Sequence, residues 1–159
     1  MPYDETTRRD LLHSLGVLSL ATLLPGPREA AAQTTGGSAV KVETKGLTAR
    51  IKFESVLAGY LTELNGKYKL RVTELVLDPG GYVGEHHHMG PGIRQVTSGY
   101  MTYVLPDKTL VYGPGDFFFE SGDVNHTALN KTEAPMVHLL FEILPADHKG
   151  PSIMPAKKP

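Results

Sequence analysis

The sequence predicts an all-β fold, a sandwich or barrel of short strands, on three observations. Short runs of β-branched and aromatic residues recur along the chain, turn signals separate them at close spacing, and no stretch sustains a helical period. Successive strand residues point to opposite faces, so a half-buried strand needs apolar side chains at alternate positions. That pattern places strands at 56–61, 68–77, 82–88, 93–105, 109–112, 117–120, 126–129 and 135–144. Between them stand Asn65-Gly66, Asp78-Pro79-Gly80-Gly81, Gly90-Pro91-Gly92, Pro106-Asp107, Gly113-Pro114-Gly115 and Ser121-Gly122-Asp123. These residue types either reach positive φ or preset φ for a turn, and Asn-Gly favours a two-residue hairpin. Residues 33–40 are rich in Thr, Gly and Ser and read as a flexible lead-in. Residues 148–159 carry three prolines and two adjacent lysines and read as a surface strap or a loosely ordered tail. Neither an internal repeat nor a second domain is visible, which leaves 41–147 as a single β domain.

The first 32 residues read as an export signal and not as part of the fold. Thr7-Arg8-Arg9-Asp10-Leu11-Leu12 resembles a twin-arginine motif; a mostly apolar run over 11–24 follows, then Ala30-Ala31-Ala32 before Gln33. About fourteen apolar residues are short for a span that needs roughly 20, so cleavage before Gln33 and a periplasmic or otherwise exported protein without a stable membrane span are expected. An uncleaved anchor is the alternative. Without that segment Lys+Arg falls from 16 to 13 and Asp+Glu from 17 to 13, a formally neutral chain of 127 residues. That length suits one domain with its own core. No basic stripe is present to neutralise a run of phosphates, so nucleic acid is not an expected partner. The chain has no cysteine, so an oxidising compartment would add no disulfide, and stability must come from packing and from any bound metal.

The chemistry is carried by histidines. His86 and His88 stand two apart, so on a strand both imidazoles leave the same face while His87 turns away. A third, His126, is followed four residues later by Asn130. Two imidazoles converging from one face invite a metal, whereas a histidine triplet in a solvated loop would not. The glycine framework favours the first reading. Five residues separate Gly80 from His86, and ten separate His88 from Gly99; five separate Gly115 from Ser121, with Asp123, His126 and Asn130 beyond.

This two-part arrangement resembles the motifs of the cupin superfamily, G(x)5HxH(x)3-4E(x)6G and G(x)5PxG(x)2H(x)3N. The resemblance implies a cupin-type jelly-roll β-barrel whose interior is lined by His86, His88 and His126 as ligands of a divalent transition metal: iron, manganese, nickel, copper or zinc. It also implies a small-molecule ligand or substrate, and a homodimer. The sequence departs from the pattern at Gly92, which falls where the family has its ligating glutamate, and at Ser121 and Asp123, which replace a proline and a glycine. With no side chain at Gly92, three imidazoles remain, with coordination positions open to water or substrate. A barrel that kept the fold and lost the metal is the alternative.

Further residues are expected around that site. Strand alternation lets only one of Arg94 and Gln95 into the interior. Arg94 there could clamp a carboxylate or enolate, and Gln95 could replace the missing acid. Glu120 is a candidate neighbour of the ligands, while Glu85 is expected in solvent and Asp123 flanks the second histidine segment. His138, in the apolar run 137–143, is expected in the core or lining the pocket. Tyr82, Tyr100, Tyr103 and Phe117 to Phe119 supply apolar walls, and three consecutive phenylalanines must show at least one ring outward, toward a subunit interface. The function expected is an exported, metal-binding cupin with oxygenase-like activity on a small enolisable, phenolic or carboxylate compound. A binding protein without turnover, and a metal-dependent isomerase or lyase, are the alternatives.

Overall fold

The computed structural model describes residues 41–158. The expected export signal and lead-in lie outside the described residues. Nine strands and one 3-10 turn follow in order: β1 (Thr44–Val56), the turn Thr62–Leu64, β2 (Tyr68–His88), β3 (Gly92–Ser98), β4 (Met101–Val104), β5 (Thr109–Tyr112), β6 (Phe117–Glu120), β7 (His126–Leu129), β8 (Met136–Pro145) and β9 (Ile153–Pro155). All pairings are antiparallel, in the order β5-β4-β7-β2-β8-β3-β6, with β1 and β9 also paired to β2. The two ends of this order meet across the interior. Tyr112 of β5 stacks on Phe118 of β6 at 4.0 Å between ring centroids, and the Tyr103 hydroxyl of β4 donates to Glu120 of β6 at 2.8 Å. The sheet therefore curls into a barrel, which leaves few unpaired edges.

β2 is the spine, and it corrects the reading of two strands at 68–77 and 82–88. Asp78-Pro79-Gly80-Gly81 bends the chain without reversing it. The first half of β2 pairs with β8 and with most of β1, and the second half with β7, β9 and the first residues of β1, Thr44 and Lys45. Gly80 takes φ 67, and a Cβ on Gly81 would lie 2.8 Å from the carbonyls of both Asp78 and Lys45. Asn130, the last residue of the second motif, holds this bend: its side-chain amide donates to Leu77 O at 2.9 Å and Asp78 O at 3.2 Å, while Gly80 N–H donates to Asn130 O at 3.0 Å.

Three further expectations change. The run 93–105 divides into β3 and β4 at Gly99, which has φ 71 and sits so close to Pro135 that a Cβ would meet its carbonyl at 2.7 Å. Val56 ends β1, and the residues after it lead into the 3-10 turn instead of forming a strand over 56–61. The tail contributes β9, paired with His86, His87 and His88.

The core fills the barrel with Leu77, Val83, Val96, Met101, Tyr103, Ala128 and Met136. Burying each large apolar side chain contributes roughly 1.5–3 kcal/mol. β8 shows the alternation most clearly: Met136, His138, Leu140, Glu142 and Leu144 are all buried. Two of those five inward positions are polar, and both serve the site.

Candidate metal centre

His86 and His126 sit directly opposite each other in the β2–β7 ladder, so the two motifs meet as a cross-strand pair. His88 follows two residues along the same face. Ring centroids are 4.2 Å apart for His86 and His126, 5.1 Å for His86 and His88, and 5.4 Å for His88 and His126. All three are less than a tenth exposed, and one ring nitrogen from each lies within 4.8 Å of the others. His87 turns to the other side and meets the Met154 carbonyl at 3.3 Å.

Each imidazole is oriented through Nδ1. His86 Nδ1 donates to Gly84 O at 2.7 Å and His126 Nδ1 to Val124 O at 3.1 Å, each a carbonyl two residues earlier on its own chain segment. His88 has a different partner: its Nδ1 lies 3.3 Å from Glu142 Oε1 and 3.4 Å from Ser152 Oγ. With the proton on Nδ1, the Nε2 lone pairs of His86 and His126 are left for the interior, and His126 Nε2 is buried with no hydrogen-bond partner among the described residues. Burial lowers His86 to about 3 and His126 to about 4, with the Arg94 charge contributing to both, so both are neutral near pH 7. Neutral imidazoles with fixed tautomers are good transition-metal donors, and this donor set fits the metals that cupins commonly bind.

Arg94 opposes the triad electrostatically. It points inward and is 4% exposed, while Gln95 lies on the other face of β3, half-buried, and is no part of the pocket. The guanidinium is nevertheless not a free clamp. Its Nη2 donates to His88 Nε2 at 2.6 Å and its Nη1 to His138 Nε2 at 2.6 Å; its Nε forms a 2.7 Å ion pair with Glu120 Oε2 that is close but not aligned as a hydrogen bond. His138, buried and neutral, passes its own Nδ1 proton toward Met136 Sδ at 3.3 Å, so it supports Arg94 and stays clear of the triad.

The glycine at the family's glutamate position is not simply an opening. A Cβ at Gly92 would strike Phe141 O at 2.7 Å and Leu140 Cδ1 at 3.1 Å. Gly92 pairs with Glu120 on one side and Glu142 on the other, so two carboxylates flank it in a single row across the sheet. Glu120 Oε1 lies 3.3 Å from His126 Nε2, and Oε2 lies 3.7 Å from His88 Nε2. Burial would raise the Glu120 carboxyl, but Arg94 foremost among the neighbouring charges outweighs it and holds the group at about 2. Burial, followed by the Glu120 charge, pushes Tyr103 well above its ordinary value, so its hydroxyl keeps its proton. Glu85 and Asp123 are exposed and take no part.

Sequence reasoning missed Glu142 and Ser152, and read Tyr103 only as a wall. Glu142 had a usable signal: it stands four residues beyond His138 in an alternating strand, so an acid there shares the buried face. Ser152 had none, since its place follows from how the tail folds back.

A cavity of about 210 Å³ reaches His126, walled by Tyr103, Leu105, Leu110, Tyr112 and Phe118 and lined also by Lys108 and Glu120. A second cleft of about 320 Å³ approaches His88 past Gly90, Ser121 and Met154.

Comparison with known proteins agrees with this architecture. The cupin domain family model matches residues 73–142. The polyketide cyclase RemF from Streptomyces resistomycificus superposes with a TM-score of 0.53 at 20% identity, covering 81% of this chain and 88% of that one. A cupin-like protein from Thermotoga maritima gives 0.51 at 24% identity, covering 68% and 75%. A double-stranded β-helix protein from Klebsiella pneumoniae gives 0.50 at 17%, covering 70% and 85%. These identities speak for the fold. A search of curated protein sequences finds no significant match. With both histidine segments on facing strands inside a curled antiparallel sheet, and with the family model spanning the first segment, the second and the strands between them, the chain carries a cupin domain over residues 73–142.

Proposed function

We propose that this chain is an exported, metal-dependent cupin enzyme with oxygenase-like activity on a small enolisable or phenolic compound, a carboxylate substituent being met by Lys108. The observation that carries this reading is the buried triad of His86, His88 and His126, whose member His126 lines an aromatic-walled cavity. A redox metal there would supply coordination positions for an organic oxyanion and for dioxygen, and zinc would supply a Lewis acid. The chain's own part is to bind and orient. Tyr103, Tyr112 and Phe118 offer flat apolar surface to a planar substrate, and the Tyr103 hydroxyl remains a proton donor. Export rests on the twin-arginine-like segment in residues 1–32.

A non-catalytic small-ligand or metal-binding protein is the second reading, and one observation favours it. Glu120 is ionised and paired, and Arg94 has all three nitrogens engaged, so neither stands ready as a base or a clamp. Elemental analysis combined with oxygen uptake separates the readings. The expected result is one equivalent of transition metal, lost in His86→Ala and His126→Ala with the β-sheet circular dichroism retained, and oxygen consumption with a phenolic or β-dicarbonyl panel. Turnover that persists without dioxygen would instead mark an isomerase or lyase. A protein that takes up no metal on reconstitution ends the metal-dependent reading.

The homodimer is proposed on an exposed apolar patch. Ile93 pairs with Phe119 across β3 and β6, Phe117 lies two residues along, and these three side chains are 48%, 68% and 60% exposed. Phe117→Glu, placed away from the cavity, is expected to shift light-scattering mass from dimer to monomer; an unchanged mass would remove this face from the interface.

A further inference from the structure

The C-terminal segment is held down by buried cations. Lys69 Nζ donates to His148 O at 2.7 Å and Arg71 Nη1 to Gly150 O at 2.6 Å. Both cations are about 5% exposed or less, and both also pair with Glu54. Burying them without these acceptors would be costly, so the path of the tail over 148–150 is dictated by β2. Met89 N–H then donates to Ser152 O at 2.9 Å, and β9 pairs with His86, His87 and His88. This course brings Ser152, itself buried, against Glu142, whose Oε1 accepts the serine hydroxyl and faces His88 Nδ1.

The three imidazoles are therefore not anchored alike. His86 and His126 are oriented by carbonyls two residues away, contacts the local backbone makes by itself. His88 depends on a carboxylate from β8 and a hydroxyl from the tail, groups 54 and 64 residues distant in the chain. On its other side Arg94 donates to Nε2, so the proton on Nδ1 faces Ser152 Oγ, its hydrogen-bond partner at 3.4 Å, while Glu142 Oε1 lies 3.3 Å away as a close charge that is not aligned as a hydrogen bond.

We propose that Glu142 and Ser152 are positioning residues for His88, and that the C-terminal strap is thereby part of the metal centre. This rests on the triad being the metal site. A carboxylate on the far nitrogen fixes the ring and raises its basicity, and losing such a partner typically costs about 10–100-fold in metal affinity. Ser152 links the two, taking the Nδ1 hydrogen bond on its oxygen and donating its hydroxyl to the carboxylate.

The test uses metal-stripped wild type, Glu142→Gln, Ser152→Ala and Ser152→Thr. The His88 Nδ1–H proton resonance is followed by 15N-edited NMR, and zinc affinity by chelator competition. Wild type should give a slowly exchanging, far-downfield His88 Nδ1–H signal. Glu142→Gln should lose that shift and bind zinc about 10–100-fold more weakly. Ser152→Ala, which removes the hydroxyl that links the ring to the carboxylate, should show the same changes, Ser152→Thr should restore wild-type values, and the His86 and His126 signals should stay in place. Variants that melt earlier yet keep the His88 signal and bind zinc within twofold of wild type would reduce the strap to a structural clasp and overturn the proposal. Should wild type itself bind no zinc, the metal reading fails, and the NMR series alone decides whether Glu142 and Ser152 hold the ring.

Discussion

Arg94→Met is expected to make the fold depend on metal. In chelator the variant should melt far below wild type; with one equivalent of zinc it should recover most of the loss and bind the metal more tightly than wild type does. Among the described residues, Arg94 is the cation that contacts the row of buried acceptors formed by Glu120, His138 and His88. Removing one partner of a buried ion pair leaves the other charge uncompensated, at a cost of about 3–5 kcal/mol. For a domain of this size that is a drop on the order of 15–20 °C. A divalent ion held by the triad would be close to the same Glu120 carboxylate, whose oxygens are 3.3 Å and 3.7 Å from the Nε2 atoms of His126 and His88. It would supply the missing positive charge, and it would no longer compete with a guanidinium for His88 Nε2. Thermal melts with and without chelator read both effects. A variant as stable as wild type in chelator would show that Glu120 is not held by Arg94.

The triad was legible in the sequence because its geometry is local. His86 and His88 share a face by the period of a strand, and the spacing to His126 and Asn130 carried the resemblance that sets the second segment opposite the first. What lies between strands was not legible. Gly92 reads as a lost ligand, because a sequence shows that glycine lacks a side chain but not that register puts Glu120 and Glu142 on either side of it. Alternation limited Arg94 and Gln95 to one inward residue without choosing. The choice falls to Arg94 because Gly92, Arg94 and Val96 form the buried face of β3. β1 escaped notice although Leu47, Ala49, Ile51 and Phe53 alternate with Thr48, Arg50, Lys52 and Glu54, so its strand pattern was present in the sequence; what the pattern did not show is that Ile51 and Phe53 stay exposed. The bend at Asp78 to Gly81 resembled a hairpin because its turn-forming residues were all present, but an asparagine 52 residues away at Asn130 decides how far the chain turns.

Acid should unfold the metal-stripped protein well before it would an ordinary barrel of this size. His86 and His126 are held at about 3 and about 4 in the fold, against 6.5 for a free imidazole, through burial first and neighbouring charges after it. His138, also buried and facing Arg94, is lowered in the same direction. Between pH 6.5 and those lower values the unfolded chain binds protons that the native state refuses, so stability rises with pH through this window and is lost as pH falls. Glu120 adds loss of the same sign further down: its folded value of about 2 lies below the ordinary 4.5, so its contribution is present above pH 4.5 and goes as the carboxyl protonates. Every pH unit over which a folded ring refuses a proton that the unfolded chain accepts costs about 1.4 kcal/mol. By pH 4 the buried imidazoles together cost several kcal/mol, comparable with the whole stability of a small domain. Urea midpoints should be flat above pH 7.5 and fall steeply below 6.5, with a slope equivalent to roughly two to three protons taken up on unfolding. In His126→Asn the slope should lose about one proton. A wild-type midpoint unchanged down to pH 5 would mean that these rings titrate in the native state as free imidazoles do, and that the barrel interior around them is wet.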